Sequence, residues 1–276
     1  MSTLAEDSKT LGAGAAAPLV RMRGISKAFG AVQALRRVDL EVWPAEVVGL
    51  VGDNAAGKST LMKILYGIYT PDEGEILVES KAVVFHTAHD ARAHGIEMVY
   101  QDLALVDNLD IAANVFVGRE LTRRFLGVVE ILDKRRMERA AGQVVQTLDP
   151  DLGPVRRKVR ILSGGQRQTV AIARSLCFEP KVVIMDEPTA SLSLEKIHRL
   201  LELIQRLKAR GLAIILISHR VEDIFTVGDR VVVLKRGEVV GGRHIRDTSV
   251  EEVAQLMVAG SPQRAMRAEG VHGTRG

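Results

Sequence analysis

The chain has 276 residues, 46% of them hydrophobic and 26% charged, with a formal net charge of +4. That length and apolar content suffice for one large, lobed domain with a sizeable core. No run reaches the eighteen or so apolar residues of a membrane-spanning helix, a single cysteine, Cys177, excludes an internal disulfide, and aromatics at 4% without any DNA-reading module argue against sequence-specific nucleic-acid binding.

Residues 1–17 read as a flexible tail, because Glu6, Asp7 and the small-residue stretch Leu11 to Pro18 lack the basic start and long apolar region of a secretory signal. Short alternations such as Val20-Arg21-Met22-Arg23 and Val38-Asp39-Leu40-Glu41-Val42 predict antiparallel strands over 19–43. The apolar run Val47 to Val51 then predicts a buried strand, followed by Gly52, Asp53, Asn54, Ala55, Ala56, Gly57, Lys58, Ser59 and Thr60 and by the helix-like Leu61 to Leu65. Gly, four residues, Gly-Lys-Ser between a strand and a helix is a phosphate-binding pattern. Its backbone N–H groups and the positive end of the helix dipole face the phosphates. Lys58 reaches the outer two phosphates, and the Ser59 hydroxyl serves Mg²⁺. Pro71-Asp72-Glu73-Gly74 has the composition of a turn. Strand is predicted for Glu75 to Val78 and Val83 to Phe85, and helix for Ala88 to His94.

The stretch Ile96 to Tyr100 leads into Gln101, and from Asp102 to Arg160 the pattern predicts a mainly helical lobe, clearest over Lys134 to Thr147. Its basic clusters, Arg135-Arg136 and Arg156-Arg157-Lys158 with Arg160, read first as a solvated face and second as a contact for membrane headgroups or an acidic partner. Beyond the turn Ser163-Gly164-Gly165, Gln166 to Phe178 has helical spacing, in which Cys177 is a buried, inert thiol. A buried strand, Lys181 to Met185, ends at Asp186-Glu187-Pro188. The face Ile197, Leu200, Leu201, Ile204 and Leu207 marks a helix stopping at Gly211, and Ala213 to Ile217 is a further strand ending at Ser218-His219. Val231 to Leu234 and Glu238 to Val240 form a closing hairpin, and the chain from Ser261 reads as a polar tail. Strands separated by helices predict a parallel sheet with its chemistry at the strand ends. There Asp186 holds Mg²⁺ through its water shell, Glu187 orients or deprotonates an attacking water, and Gln101 and His219 meet the γ-phosphate or that water.

Taken in order, Gly52 to Thr60, Gln101, Leu162 to Gln166, Val182 to Glu187 and His219 resemble the motif series of ATP-binding cassette (ABC) ATPases over roughly residues 19–260. The resemblance implies an α/β fold of the P-loop NTPase type: a mostly parallel sheet flanked by helices, with an N-terminal antiparallel β-subdomain and an inserted α-helical subdomain over about 102–163. The ATP-binding domain spans 18–260, between tails 1–17 and 261–276. ATP and Mg²⁺ are the implied ligands, with Ser59, Gln101 and Asp186 around the metal and Phe29 stacked on adenine. It further implies a head-to-tail homodimer, in which Ser163, Gly164, Gly165 and Gln166 of one subunit close on ATP held by Lys58 of the other. A glycine turn at a helix N-terminus with no strand feeding it a nucleotide has to serve a phosphate brought from elsewhere.

Gly95 to Leu105 and Asn114 to Glu120 are similar to the bacterial simple-sugar importers of the ribose, xylose and fructose type, in their single-cassette branch. That likeness implies a homodimer at the cytoplasmic face of the plasma membrane, beneath an integral-membrane permease fed by a periplasmic sugar-binding protein and contacted near Gln101 and Asp102. No nucleic-acid partner is implied. Ala55 replaces the glycine usual in such loops, and a left-handed backbone there predicts weaker ATP binding. Ser191-Leu192-Ser193 replaces the Ala-Leu-Asp common in ABC ATPases, which bears on cross-talk between ATP sites. Alternatives are a soluble ABC-type ATPase acting on nucleic acid or the ribosome, a cassette for another small polar cargo, and a regulatory cassette that binds nucleotide without turnover.

Overall fold

The computed structural model describes residues 17–125, 128–190 and 192–259, so the tails expected at 1–17 and 261–276 lie outside the described residues except for Ala17. The first strands, β1 (Val20–Phe29) and β2 (Val32–Val42), are antiparallel. They are followed by β3 (Val47–Val51) and α1 (Lys58–Leu65). Next come β4 (Glu73–Val78), β5 (Lys81–Val83), α2 (Ala88–Ala93) and β6 (Ile96–Val99). A four-stranded antiparallel sheet runs β2-β1-β4-β5.

The stretch expected to be helical holds α3 (Ile111–Phe116), a hairpin of β7 (Thr122–Phe125) and β8 (Val129–Leu132), and α4 (Lys134–Leu148). The hairpin corrects the helical expectation. Its strands turn little toward any core, with Val129 and Leu132 exposed, so burial imposes no helical period on them. In α4, by contrast, Met137, Ala141, Val145 and Leu148 fall on one buried stripe, and Asp133 caps the first turn by accepting from the Arg136 N–H at 3.1 Å.

The remaining elements are α5 (Gly164–Leu176), β9 (Val182–Asp186), α6 (Leu194–Ala209), β10 (Ala213–Ile217), α7 (Val221–Val227), β11 (Arg230–Lys235), β12 (Glu238–His244) and α8 (Val250–Ala259). The central sheet runs β12-β11-β3-β10-β9-β6, parallel throughout except for β12. Every residue of β3 and β10 is buried, as a parallel sheet covered on both faces requires. Alternate residues serve opposite cores: Val47, Val51, Val183, Met185, Ile214 and Leu216 pack under the helical side, and Val48, Leu50, Val182, Ile184, Ile215 and Ile217 pack toward α1 and the antiparallel sheet. Each such side chain contributes about 1.5–3 kcal/mol of burial.

Two local expectations are corrected. Glu73 and Gly74 belong to β4, where Gly74 at φ 97° sits beside a register shift and a Cβ would come within 2.5 Å of the Arg23 carbonyl oxygen. Its glycine thus makes a bulge within the sheet. The strand expected over 83–85 ends at Val83, and Phe85 is instead a core side chain. Gly211 does close α6, with φ 93° and its N–H donating to the Lys208 carbonyl at 2.8 Å.

Candidate active site

The glycine loop joins β3 to α1, whose first residue, Lys58, is buried. Its ammonium donates back to the loop carbonyls of Gly52 at 2.7 Å and Asp53 at 3.0 Å. Burial pushes the Lys58 pKa down, while Glu187, Asp186 and Asp53 act in the opposite direction. The tightness of the curl explains the glycines: a Cβ on Gly52 would lie 2.0 Å from the Leu234 carbonyl oxygen, and one on Gly57, at φ 105°, 2.8 Å from that of Ala34. Asp53, Asn54 and Ala55 are exposed on the loop and Ser59 on the first turn of α1, while Ala56 is buried and Thr60 half-buried. Ala55 has φ 65°, so the condition set for strain at this position is met by a residue with a side chain.

Asp186 is the last residue of β9, paired across the sheet with Ile217 at the end of β10. Burial, and then the neighbouring Glu187, push its carboxyl above the usual range, against the pull of Lys58, Lys63 and His219. Glu187 turns to φ 50°, its N–H donating to the Ile217 carbonyl at 3.0 Å, and its carboxylate contacts the His219 Nε2. Lys58, Asp186, Glu187 and His219 therefore gather where β3, β9 and β10 end. Gln101, exposed beyond β6, shares with Glu187 a cleft of about 280 Å³ that Gly164 also lines.

Ser163 is the N-cap of α5 and forms a reciprocal pair with Gln166: the Ser163 N–H donates to Oε1 at 3.0 Å, and the Gln166 N–H to Ser163 Oγ at 3.4 Å. Ser163, Gly165 and Gln166 line a different cavity, of about 400 Å³, together with Lys196. The structure does not bring them to Lys58 of their own chain. Phe29 is 43% exposed at the end of β1, edge-on to Tyr69 at 5.1 Å, with Lys27 Nζ 5.7 Å above its ring.

Several supporting residues escaped the sequence reading. Asp72 accepts from Lys27 Nζ at 2.6 Å and the Ala28 N–H at 2.7 Å, which fixes the strand end bearing Phe29. Buried Asp223 accepts from Thr189 Oγ1 at 2.8 Å and Arg220 Nε at 3.2 Å, tying the residue after His219 to the stretch after Glu187. Behind Gln101, buried Glu97 pairs with Arg119 at 2.7 Å, whose guanidinium lies 3.7 Å over Phe178. Motif spacing gave no signal for these, since each is defined by a partner distant in sequence. Of the basic clusters, Arg156 is held by Glu138 and Arg157 by the Leu152 carbonyl. Cys177 is half-buried and free, its thiol pKa raised by burial.

The family model described as ABC transporter matches residues 35–190. Over 241 residues the chain is 42% identical to the xylose/arabinose import ATP-binding protein XylG of Sulfolobus acidocaldarius, covering 87% of this chain and 94% of that one. It is 40% identical to the fructose import ATP-binding protein FrcA of Rhizobium meliloti, covering 91% and 98%. It spans about half the length of the ribose import ATP-binding proteins that it also matches, 46% for one from Agrobacterium fabrum at 41% identity. Among solved structures, a nucleotide-free ATP-binding cassette from an ABC transporter superposes with a TM-score of 0.76 at 25% identity, covering 90% of this chain and 97% of that one.

Proposed function

The chain belongs to the ABC transporter family of ATP-binding proteins, and on that premise we propose that it is the subunit whose ATP hydrolysis powers import of a simple sugar. The observation that carries the reading is the gathering of Lys58, Asp186, Glu187 and His219 at the ends of three adjacent parallel strands, with Glu187 in contact with His219. The relatives named for xylose/arabinose and fructose import match over nearly their whole length, which supports a monosaccharide as the cargo. Sugar specificity resides in the partners, a membrane permease and a periplasmic sugar-binding protein, because this subunit meets the permease and not the cargo. Among the described residues no helix is long and apolar enough to cross a membrane. The protein sits at the cytoplasmic face through its permease.

Each residue of the site has its own task. Lys58, released from the Gly52 and Asp53 carbonyls, takes the outer phosphates, and the loop N–H groups with the α1 N-terminus take the rest. Asp186 and Glu187 form a carboxylate pair at the end of β9, the Asp186 carboxyl pKa raised first by burial and then by Glu187 despite Lys58, Lys63 and His219 nearby; carboxylate oxygens beside a phosphate loop are the donors that Mg²⁺ takes, and the site thus fits that ion. Ser59, Asp186 and Gln101 would hold that ion, which supplies charge neutralisation on the phosphates. Glu187 takes the proton of the attacking water, and His219 orients Glu187 toward it. Phe29 offers an exposed ring to the adenine. Ser163 and Gly165 line a cavity that Lys58 of their own chain does not reach, and with Gly164 they close on the nucleotide of a second copy.

The test is light scattering of the Glu187→Gln variant, in which turnover is blocked, with and without ATP and Mg²⁺. Mass doubles with ATP if Lys58 and Ser163 are opposed halves of one site. A variant that stays monomeric refutes the homodimer. For the cargo, cells lacking this chain lose uptake of a labelled monosaccharide, and normal uptake of every sugar tried refutes sugar import.

A further inference from the structure

Gln168 lies on the first turns of α5, the helix that begins at the signature. It is 8% exposed, and its amide Nε2 is fully buried with no hydrogen-bond partner among the described residues. Buried amide donors are satisfied in all but a few cases, because an orphan forfeits its hydration without return. The place of this one is informative. Gln168 lines the cleft that holds Gln101, Glu187, Pro188 and Ala190, and it also lines the cavity of Ser163, Gly165 and Gln166. It stands one helical turn from Gly164, on the same face of α5, and leans toward the helix N-terminus as helical side chains do.

In the head-to-tail dimer the residues of these two cavities serve different nucleotides, with Gly164 at the border of the first. Glu187 and Gln101 act on the ATP held by their own Lys58, whereas Ser163 and Gly165 act on the ATP of the other copy. Gln168 is thus a side chain with one wall in each site. The Pro188–Ala190 stretch, which lines the same cleft through Pro188 and Ala190, comes directly after Glu187; the Ala190 N–H donates to the Glu187 carbonyl and the Leu192 N–H to the Thr189 carbonyl, both at 3.2 Å, and no backbone N–H among the described residues donates to the carbonyls of Pro188 and Ala190.

We propose that Gln168 is the positioning residue that couples the two ATP sites, its Nε2 donating to a backbone carbonyl of Pro188–Ala190 when ATP engages Ser163 and Gly165. Engagement of the signature shifts α5 as a rigid rod, the free amide finds its acceptor, and the stretch it grips sets Glu187 for the other nucleotide. One ATP thereby licenses hydrolysis of its counterpart. The inference rests on the proposed dimer and goes beyond it in assigning the route between the sites.

The experiment uses the full chain and two variants: Gln168→Met, which keeps length and volume, and Gln168→Glu, which keeps shape, both without the amide donors. ATP hydrolysis is titrated with ATP, and each protein is also scanned for its Tm without nucleotide. The wild type gives a Hill coefficient approaching about two, the limit for two sites. Both variants fall to about one while still doubling in mass with ATP in the Glu187→Gln background, and the Tm of Gln168→Met is equal or higher, since the orphan donor is gone. Cooperativity undiminished in a folded variant overturns the proposal, as does loss of activity that tracks a fallen Tm in both variants. A wild type whose mass does not respond to ATP removes the dimer itself, a failure separable from that of Gln168.

Discussion

Replacing Ala55 by glycine isolates the strain of one backbone angle. At φ 65° a residue with a Cβ is held about 1–2 kcal/mol above its right-handed alternative. Glycine removes that penalty but brings about 0.4–1 kcal/mol of extra chain entropy to be lost on ordering, so Ala55→Gly nets about 0.8 kcal/mol in favour of the observed loop. Where this gain appears depends on when the loop takes up the angle. A loop ordered only around phosphates delivers it as a roughly fourfold tighter ATP Kd. A loop that holds the angle throughout delivers it as a Tm about 1.5–2 °C higher for a domain of this size. Titration calorimetry for ATP and scanning calorimetry without it, on both proteins, measure the two shares. If neither moves, Ala55 is unstrained and the reasoning from φ fails. A gain confined to Tm corrects the expectation that Ala55 weakens ATP binding.

Gly52→Ala collides with the Leu234 carbonyl oxygen and lowers both Tm and ATP affinity, whereas Gly164→Ala, with nothing within 4 Å of its Cβ, leaves Tm unchanged and impairs only ATP-driven dimerisation; equal Tm values for the two would refute the steric account. Because burial and Glu187 raise the folded-state pKa of Asp186, the native protein holds the proton more tightly, and this group lowers stability as pH rises from about 3.8 through the raised value. Asp186→Asn is therefore more stable than wild type at neutral pH, with the difference vanishing as pH approaches the ordinary carboxylate range. Parallel stability profiles would contradict it. Arg119→Met strands the buried Glu97 carboxylate at a cost of about 3–5 kcal/mol, and adding Glu97→Gln recovers much of it; chemical denaturation of the four combinations measures the coupling, and additive losses would show that the 2.7 Å pair is not what holds Glu97.

What the sequence revealed was what is local. Gly52 to Thr60 and Ser163 to Gln166 are read from spacing because a few consecutive backbone groups make the feature, and β3, β9 and β10 are read from unbroken apolar runs because helices and the antiparallel sheet cover both faces. The β7–β8 hairpin was illegible for the converse reason: Arg123 and Glu130 alternate with side chains that face solvent, so no core enforces a period. Gly74 looked like a turn because a glycine that permits a bulge and one that permits a turn are the same letter. Glu97, Asp223 and Gln168 appear in sequence as ordinary polar residues. Glu97 is paired by Arg119 and Asp223 by Thr189, both distant along the chain, and Gln168 lies where two cavities meet that draw in Glu187 and Lys196.

The bond from the Glu187 N–H to the Ile217 carbonyl makes β9 and β10 a single plate at their outer ends. Glu187 and His219 stand one residue and two residues beyond that plate, and α5 packs on the same core through Val170, Ile172 and Ala173, beside Val183 and Met185 of β9. The backbone that carries the acid–base pair is thus a shared edge: whatever reaches Glu187 through the stretch that follows it also reaches the strand that bears His219, so the two groups are adjusted together.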